Sequence, residues 1–317
     1  MQYRNHLTIA TRTSKLALAQ TNIVKQLLQQ NYPGLQISIL EIKTTGDKIL
    51  TTNLAKIGGK GLFTKELAEQ ILAGNADLAV HSMKDMPAQQ PAELTIAAML
   101  PRANPCDVIV SKNGYSLVSL PVQAMVGSSS LRRQAQLLTH RSDLQIKTLR
   151  GNVDTRVKQL YAGEYDAIIL AKAGLDRLQL HDLPVYQFSQ AEMLPAVGQG
   201  AIGIECKHSD HALVQMLAVL SDHPTVLCVQ AERKMNACLN GSCSTPIAGY
   251  AEILAGNLLT LTGMVAHVDG SKRIFASAQD TLVSDKKKAL ASATALGEVV
   301  ANALELQGAR DIMARYV

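Results

Sequence analysis

Five apolar, strand-like runs in the first 180 residues each stop at a short polar cluster, and a helical pattern follows most of them. Residues 7–11 run into Arg12, Thr13 and Ser14, and either of the last two can cap a helix over residues 15–30. Residues 77–81 run into Ser82, Met83, Lys84 and Asp85. Residues 124–127 feed Ser128, Ser129 and Ser130, then a helix to about residue 139. Residues 144–149 feed Arg150, Gly151 and Asn152, then a helix to residue 162. Residues 166–171 feed a short helix holding Lys172 and Arg177. With further strands at 35–43, 94–100 and 107–111 and a helix at 62–73, this alternation predicts α/β architecture with mostly parallel strands. After Pro224 the pattern changes to a helix at 225–239, strands at 246–254, 258–267 and 273–277, and a closing helix at 286–306, which reads as a small α+β domain.

Ligands of open α/β sheets bind beyond the carboxyl ends of strands, where these polar clusters fall. Four of the five clusters carry Arg. Arg132 and Arg133 belong to the first turn of a helix, whose dipole already disfavours a cation by about 0.3–1 kcal/mol each. That placement, with three serines and free backbone N–H groups before it, predicts an anion at this helix start. Arg12, Arg150, Arg156 and Arg177 extend the pattern to a cleft lined with guanidinium groups, suited to a ligand bearing several carboxylates or phosphates. Asp85, beside Lys84, could shuttle a proton or stabilise a cation.

The remaining features narrow the classes. Apolar residues make up 47% of the 317, enough for packed cores. The formal net charge is +5, but aromatic content is only 3% with no Trp, which argues against a stacking surface for nucleic acid. Residues 58–61 fail the phosphate-loop spacing, since Gly61 follows Lys60 where Ser or Thr is required, and read as a flap. Five cysteines, at 106, 206, 228, 238 and 243, include no C-x-x-C pair; a reducing cytoplasm is expected. Neither a signal peptide nor a membrane span is expected. On spacing alone Cys243 reads as an ordinary structural cysteine. The residues by themselves leave open an enzyme or a non-catalytic anion-binding protein of the periplasmic-binding type.

The chain resembles the porphobilinogen deaminase family from about residue 8 to its end. The resemblance rests on residues 9–14 (IATRTS), 56–63 (KIGGKGLF), 81–87 (HSMKDMP), 126–133 (VGSSSLRR), 150–153 (RGNV), 194–201 (LPAVGQGA) and 231–233 (AER), followed by the Cys243 loop. It implies two α/β domains like type II periplasmic binding proteins, over residues 1–100 with 200–218 and over 105–195, and an α+β domain over 223–317. It implies a dipyrromethane cofactor attached to Cys243 through a thioether, and no metal. Four porphobilinogen units would add to that primer with loss of ammonia, and hydrolysis would release hydroxymethylbilane. By the same match Asp85 is the catalytic carboxylate. Lys84, Ser129, Arg132, Arg133 and Arg156 would hold the cofactor, and Arg12, Ser14, Arg150, Arg156 and Arg177 the incoming or growing pyrroles. Lys56, Lys60 and Phe63 would lie on the flap. A monomer is expected, with porphobilinogen as its small-molecule partner and no nucleic-acid or membrane partner. The chain departs from the family at Ser242 and Ala248, where Gly is usual; a positive φ at 242 would cost Ser about 1–2 kcal/mol.

Overall fold

A computed structural model describes residues 4–48, 61, 63–242, 244–314 and 316. In chain order the first elements are β1 (His6–Arg12), α1 (Lys15–Asn31), β2 (Gln36–Ile42), a single turn α2 (Thr45–Lys48), α3 (Lys65–Ala73), β3 (Leu78–Ser82) and β4 (Leu94–Met99). Ser14 caps α1, its hydroxyl accepting from the Ala17 N–H at 3.3 Å. The helix of α3 begins three residues later than expected, because the chain first turns through Gly61 at φ +74°. Next come β5 (Asp107–Ser111), β6 (Met125–Gly127), α4 (Leu131–His140), β7 (Gln145–Lys147), α5 (Val153–Tyr161), β8 (Ala167–Ala171), α6 (Lys172–Arg177) and β9 (Val185–Gln187). The chain ends with β10 (Ile202–Lys207), α7 (His211–Leu217), α8 (His223–Cys238), β11 (Ile247–Leu254), β12 (Leu258–Ala266), β13 (Arg273–Thr281), α9 (Lys286–Leu306) and α10 (Ala309–Met313).

Three sheets result, of order β2-β1-β3-β10-β4, β7-β6-β8-β5-β9 and β11-β12-β13. The fold is α/β with a small α+β unit at the C-terminus, as the sequence predicts. The expectation of mostly parallel strands holds for four of the five strands in each of the first two sheets, and one strand in each runs against them. β1 pairs in parallel with β2 and β3, and β6 with β7 and β8. But β10 runs antiparallel to β3 and β4, and β5 antiparallel to β8 and β9. The physical reason lies in the route of the chain. It leaves the first sheet after β4 to start the second at β5, and returns after β9 to insert β10 into the first. Each inserted strand enters from the opposite end to its neighbours.

Each sheet buries its own apolar side chains. Leu7, Ile9, Val24, Leu28 and Ile204 pack in the first, and Ile109, Val126, Leu137, Ile169 and Phe188 in the second. In the third unit Leu261 and Val265 of the sheet meet Leu296, Val300 and Leu304 of α9. No membrane-length segment was expected, yet α9 has the length and apolar composition to cross a bilayer. That apolar face is spent on this core.

Candidate active site

β3 delivers the chain into a single 3-10 turn, Met83–Asp85, which sets Lys84 and Asp85 at the carboxyl end of the first sheet. Met83 is buried beneath the turn and fixes it. Its N–H donates to the Ala201 carbonyl at 3.0 Å. Two glycines make room for it. A Cβ on Gly203 would lie 2.2 Å from the Met83 sulfur, and one on Gly198 3.0 Å from the Met83 backbone. Gly198 also has φ +70°, a left-handed conformation that favours glycine. The return crossing is thus moulded onto the turn that carries Asp85.

The anion predicted at the start of α4 is supplied by the protein itself. Asp107, the first residue of β5, is wholly buried. Its Oδ2 lies 2.7 Å from Arg132 Nη1, and its Oδ1 accepts from Arg133 Nη2 at 2.6 Å and Nε at 3.1 Å. Burial alone would raise this carboxyl; Arg132 and Arg133 outweigh it and hold it well below the usual carboxylate range. Remaining guanidinium donors reach backbone carbonyls, Arg132 to Leu194 and Arg133 to Ile169, each at 2.8 Å. Ser130 caps the helix through Arg133 N–H. The Ser129 hydroxyl donates to the Leu149 carbonyl at 2.6 Å.

Two cavities flank this ion cluster. The larger, about 570 Å³, is lined by Lys84, Asp85 and Arg132 together with Gly241, Ser242 and Thr245. The smaller, about 70 Å³, is lined by Lys84, Arg133, Arg156, Arg177 and Gln199. Lys84 faces both. Burial pushes its ammonium down to about 8, against the pull of Asp85. Burial likewise lowers Arg156 to about 10, helped by Arg133 and opposed by Asp85, and lowers Arg177 to about 10 against Asp176. The guanidinium groups of Arg156 and Arg177 reach backbone carbonyls, Gly151 at 2.7 Å and Gly200 at 2.6 Å. Two cations depressed by burial and held on neutral carbonyls suit an anionic ligand.

Other expected residues lie elsewhere. Arg12 pairs with Asp47 at 2.5 Å and stacks 4.2 Å from the centroid of Phe63, whose ring sits over Gly46. The Ser14 hydroxyl caps α1. Arg12, Ser14 and Arg150 line neither cavity, although the charge of Arg150 contributes to the lowering at Arg156. Lys56, Lys60 and Cys243 lie outside the described residues. Next to Cys243, Ser242 is not among the residues with positive φ; Asn240 takes that conformation, at 53°. Ser242 instead ties the loop together. Its N–H donates to Thr245 Oγ1 at 2.9 Å, and its hydroxyl accepts from Ser244 N–H at 3.2 Å.

Sequence reasoning missed Asp107, which carries no local motif, and Gln199, which lies inside the 194–201 motif but received no role. It also missed the buried pair of His81 and Glu205, 3.0 Å apart, whose Glu205 lines the larger cavity with Arg233. Their signal is three-dimensional: Asp107 meets Gln199 from 92 positions away.

Comparison with known proteins identifies the family. The model of the porphobilinogen deaminase dipyromethane cofactor binding domain matches residues 7–215, and that of the porphobilinogen deaminase C-terminal domain matches residues 226–305. The chain is 47% identical over 308 residues to the porphobilinogen deaminase of Lawsonia intracellularis, covering 97% of each. Among solved structures it is similar to the aliphatic sulphonate binding protein SsuA of Escherichia coli, at 12% identity and TM-score 0.43 over 96% of this chain and 88% of that one. It is also similar to the VFT2 domain of BvgS of Bordetella pertussis, at 14% identity and TM-score 0.43 over 68% and 86%.

Proposed function

The chain belongs to the porphobilinogen deaminase family, and on that premise we propose how its cleft divides the work. The activity is that of a transferase: four porphobilinogen units condense head to tail on a dipyrromethane primer, ammonia leaves at each addition, and hydrolysis frees hydroxymethylbilane. The observation that carries the reading is the larger cavity. It runs from the residues flanking Cys243 to Lys84, Asp85 and Arg132. A carboxylate-bearing group anchored at 243 through a thioether fits that space, with cations at its far end. The primer, when bound, supplies the free pyrrole carbon to which the first new bond is made.

The protein's own residues do the rest. Lys84 and Arg132 hold carboxylates of the primer, and the Asp107 ion cluster keeps Arg132 and Arg133 in place. Ser129 and Ser242 act through the backbone, shaping the loops on either side. Arg156 and Arg177, in the smaller cavity, take the carboxylates of the incoming pyrrole, with Arg150 strengthening the positive field. Arg12 joins them by exchanging Asp47 for substrate, and the family resemblance assigns Lys56, Lys60 and Phe63 to a flap. Asp85 faces the larger cavity beside Lys84 and Arg132. It stabilises the positive charge that develops on the pyrrole as ammonia leaves, and accepts the proton lost when the ring regains aromaticity. A non-catalytic binding protein has no use for such a carboxylate, nor for a thiol loop bordering the ligand space.

One chain lines both cavities, so a monomer suffices. The four described cysteines are free, as a reducing cytoplasm would leave them. The test is turnover. Purified protein given porphobilinogen should form hydroxymethylbilane and release one ammonia per unit consumed. Asp85→Asn should fold, keep its primer and lose nearly all turnover; near-normal turnover would remove Asp85 from the chemistry.

A further inference from the structure

Gln199 belongs to the return crossing and is 1% exposed. Its side-chain amide nitrogen donates to the Pro105 carbonyl at 2.7 Å and to Asp107 Oδ1 at 3.0 Å. Neither partner can donate in return. A carbonyl carries no proton, and Asp107 is held ionised by Arg132 and Arg133 against the effect of burial. Chemistry therefore fixes which end of the amide is which: a flipped Gln199 would set its oxygen against two acceptors. With the nitrogen so committed, Oε1 is left buried and without a hydrogen-bond donor. A native protein rarely leaves a buried carbonyl in that state, because its lost hydration is not replaced.

Gln199 lines the smaller cavity with Lys84, Arg156 and Arg177. Those three offer only donors. Two further polar side chains there, Gln20 and Ser82, hydrogen-bond to each other at 2.8 Å. Around this cavity, then, are cations for carboxylates and, within Gln199, one buried neutral carbonyl with no proton to accept. A ligand that satisfies both carries carboxylates and an N–H donor.

We propose that Gln199 Oε1 is the acceptor for an N–H of the incoming pyrrole and makes the smaller cavity selective for it. The donor is the ring N–H or the aminomethyl nitrogen. The inference rests on the reading of this cavity as the substrate side. A site built around such an acceptor rejects an analogue lacking the donor more strongly than it would reject a change of apolar size.

The test uses primed enzyme and two competitors of porphobilinogen. One is methylated on the ring nitrogen; in the other, methyl replaces the aminomethyl group. The wild type should prefer porphobilinogen to one of them by about tenfold or more, the scale of one hydrogen bond. Gln199→Met should lose that preference through weaker porphobilinogen binding and keep the other preference; the one that collapses identifies the donor. Should Gln199→Met fail to fold or to carry primer, Gln199→Asn serves. It retracts the carbonyl by one methylene, keeps an amide beside Asp107 and should show the same collapse. Both preferences persisting at wild-type size in the folded variant would overturn the proposal. A wild-type enzyme that consumes porphobilinogen would in that case leave the functional reading standing; one that does not would overturn the functional reading and this inference together.

Discussion

Asp107 Oδ2 lies 2.7 Å from Arg132 Nη1, and both side chains are out of solvent. This pairing explains how a helix can begin with two arginines, because the carboxylate bridges both guanidinium groups and offsets part of their charge. Asp107→Asn would leave two buried cations without a counter-charge. It should cost about 3–5 kcal/mol of stability, read from urea unfolding at neutral pH. A lowered carboxyl stabilises the fold fully above its unfolded value and loses that contribution as pH falls toward its folded value. The difference between wild type and Asp107→Asn should therefore be constant at neutral pH and shrink as pH drops below about 4.

Lys84 gives a second pH-dependent prediction, of the same sign but in a higher pH window. Its ammonium is pushed down to about 8 by burial when no bound carboxylate faces it. Without ligand, the unfolded chain binds the extra proton between about 8 and 10.5, so stability rises with pH across that window. In primer-free protein the Lys84 amine should acylate with a midpoint near pH 8, followed by peptide mass spectrometry. In primed protein a carboxylate beside it should move the midpoint upward. An unchanged midpoint would mean that Lys84 does not meet the primer.

Glu232 joins the two crossings to the C-terminal unit. It is wholly buried, lies 2.5 Å from Arg102 Nη1, and accepts from the N–H of Gly198 at 2.6 Å and of Ala251 at 2.8 Å. Arg102 reaches the Gln199 carbonyl at 2.9 Å. Burial would lower the Arg102 guanidinium, and Glu232 more than compensates. Glu232→Ala should lower stability by about 3–5 kcal/mol, through both an unpaired buried cation and two orphaned N–H groups. Denaturant unfolding measures it.

Arg12 is held by Asp47, which burial would raise but whose bonds with Arg12 and Thr44 keep it low. If Arg12 must leave Asp47 to meet substrate, Asp47→Asn should reduce KM by a few-fold with little change in kcat. Arg12→Met should raise KM. Steady-state kinetics of both variants check the exchange; an Asp47→Asn variant with raised KM would assign Arg12 to supporting the fold.

Much of this was legible locally. The Ser14 cap, the α9 boundaries and the polar ends of β1, β3, β6 and β8 follow from periodicity and capping chemistry, which act over a few residues. The antiparallel insertions of β5 and β10 were not, because strand direction depends on where the chain crosses and not on composition. For the same reason Arg132 and Arg133 were recognised as an anion site while their anion was missed: Asp107 precedes them by about 25 residues on another strand. Cys243 shows the converse. Its spacing says little, and only the family resemblance gives it a role.

The central claim is a cleft primed at Cys243. Its most direct test is the intact mass of the protein as purified, with peptide mapping of the loop at residues 240–246. The account predicts an excess over the sequence mass equal to two linked pyrrole units, located on Cys243 and absent from Cys243→Ala. Full porphobilinogen turnover by a protein of unmodified mass would contradict it.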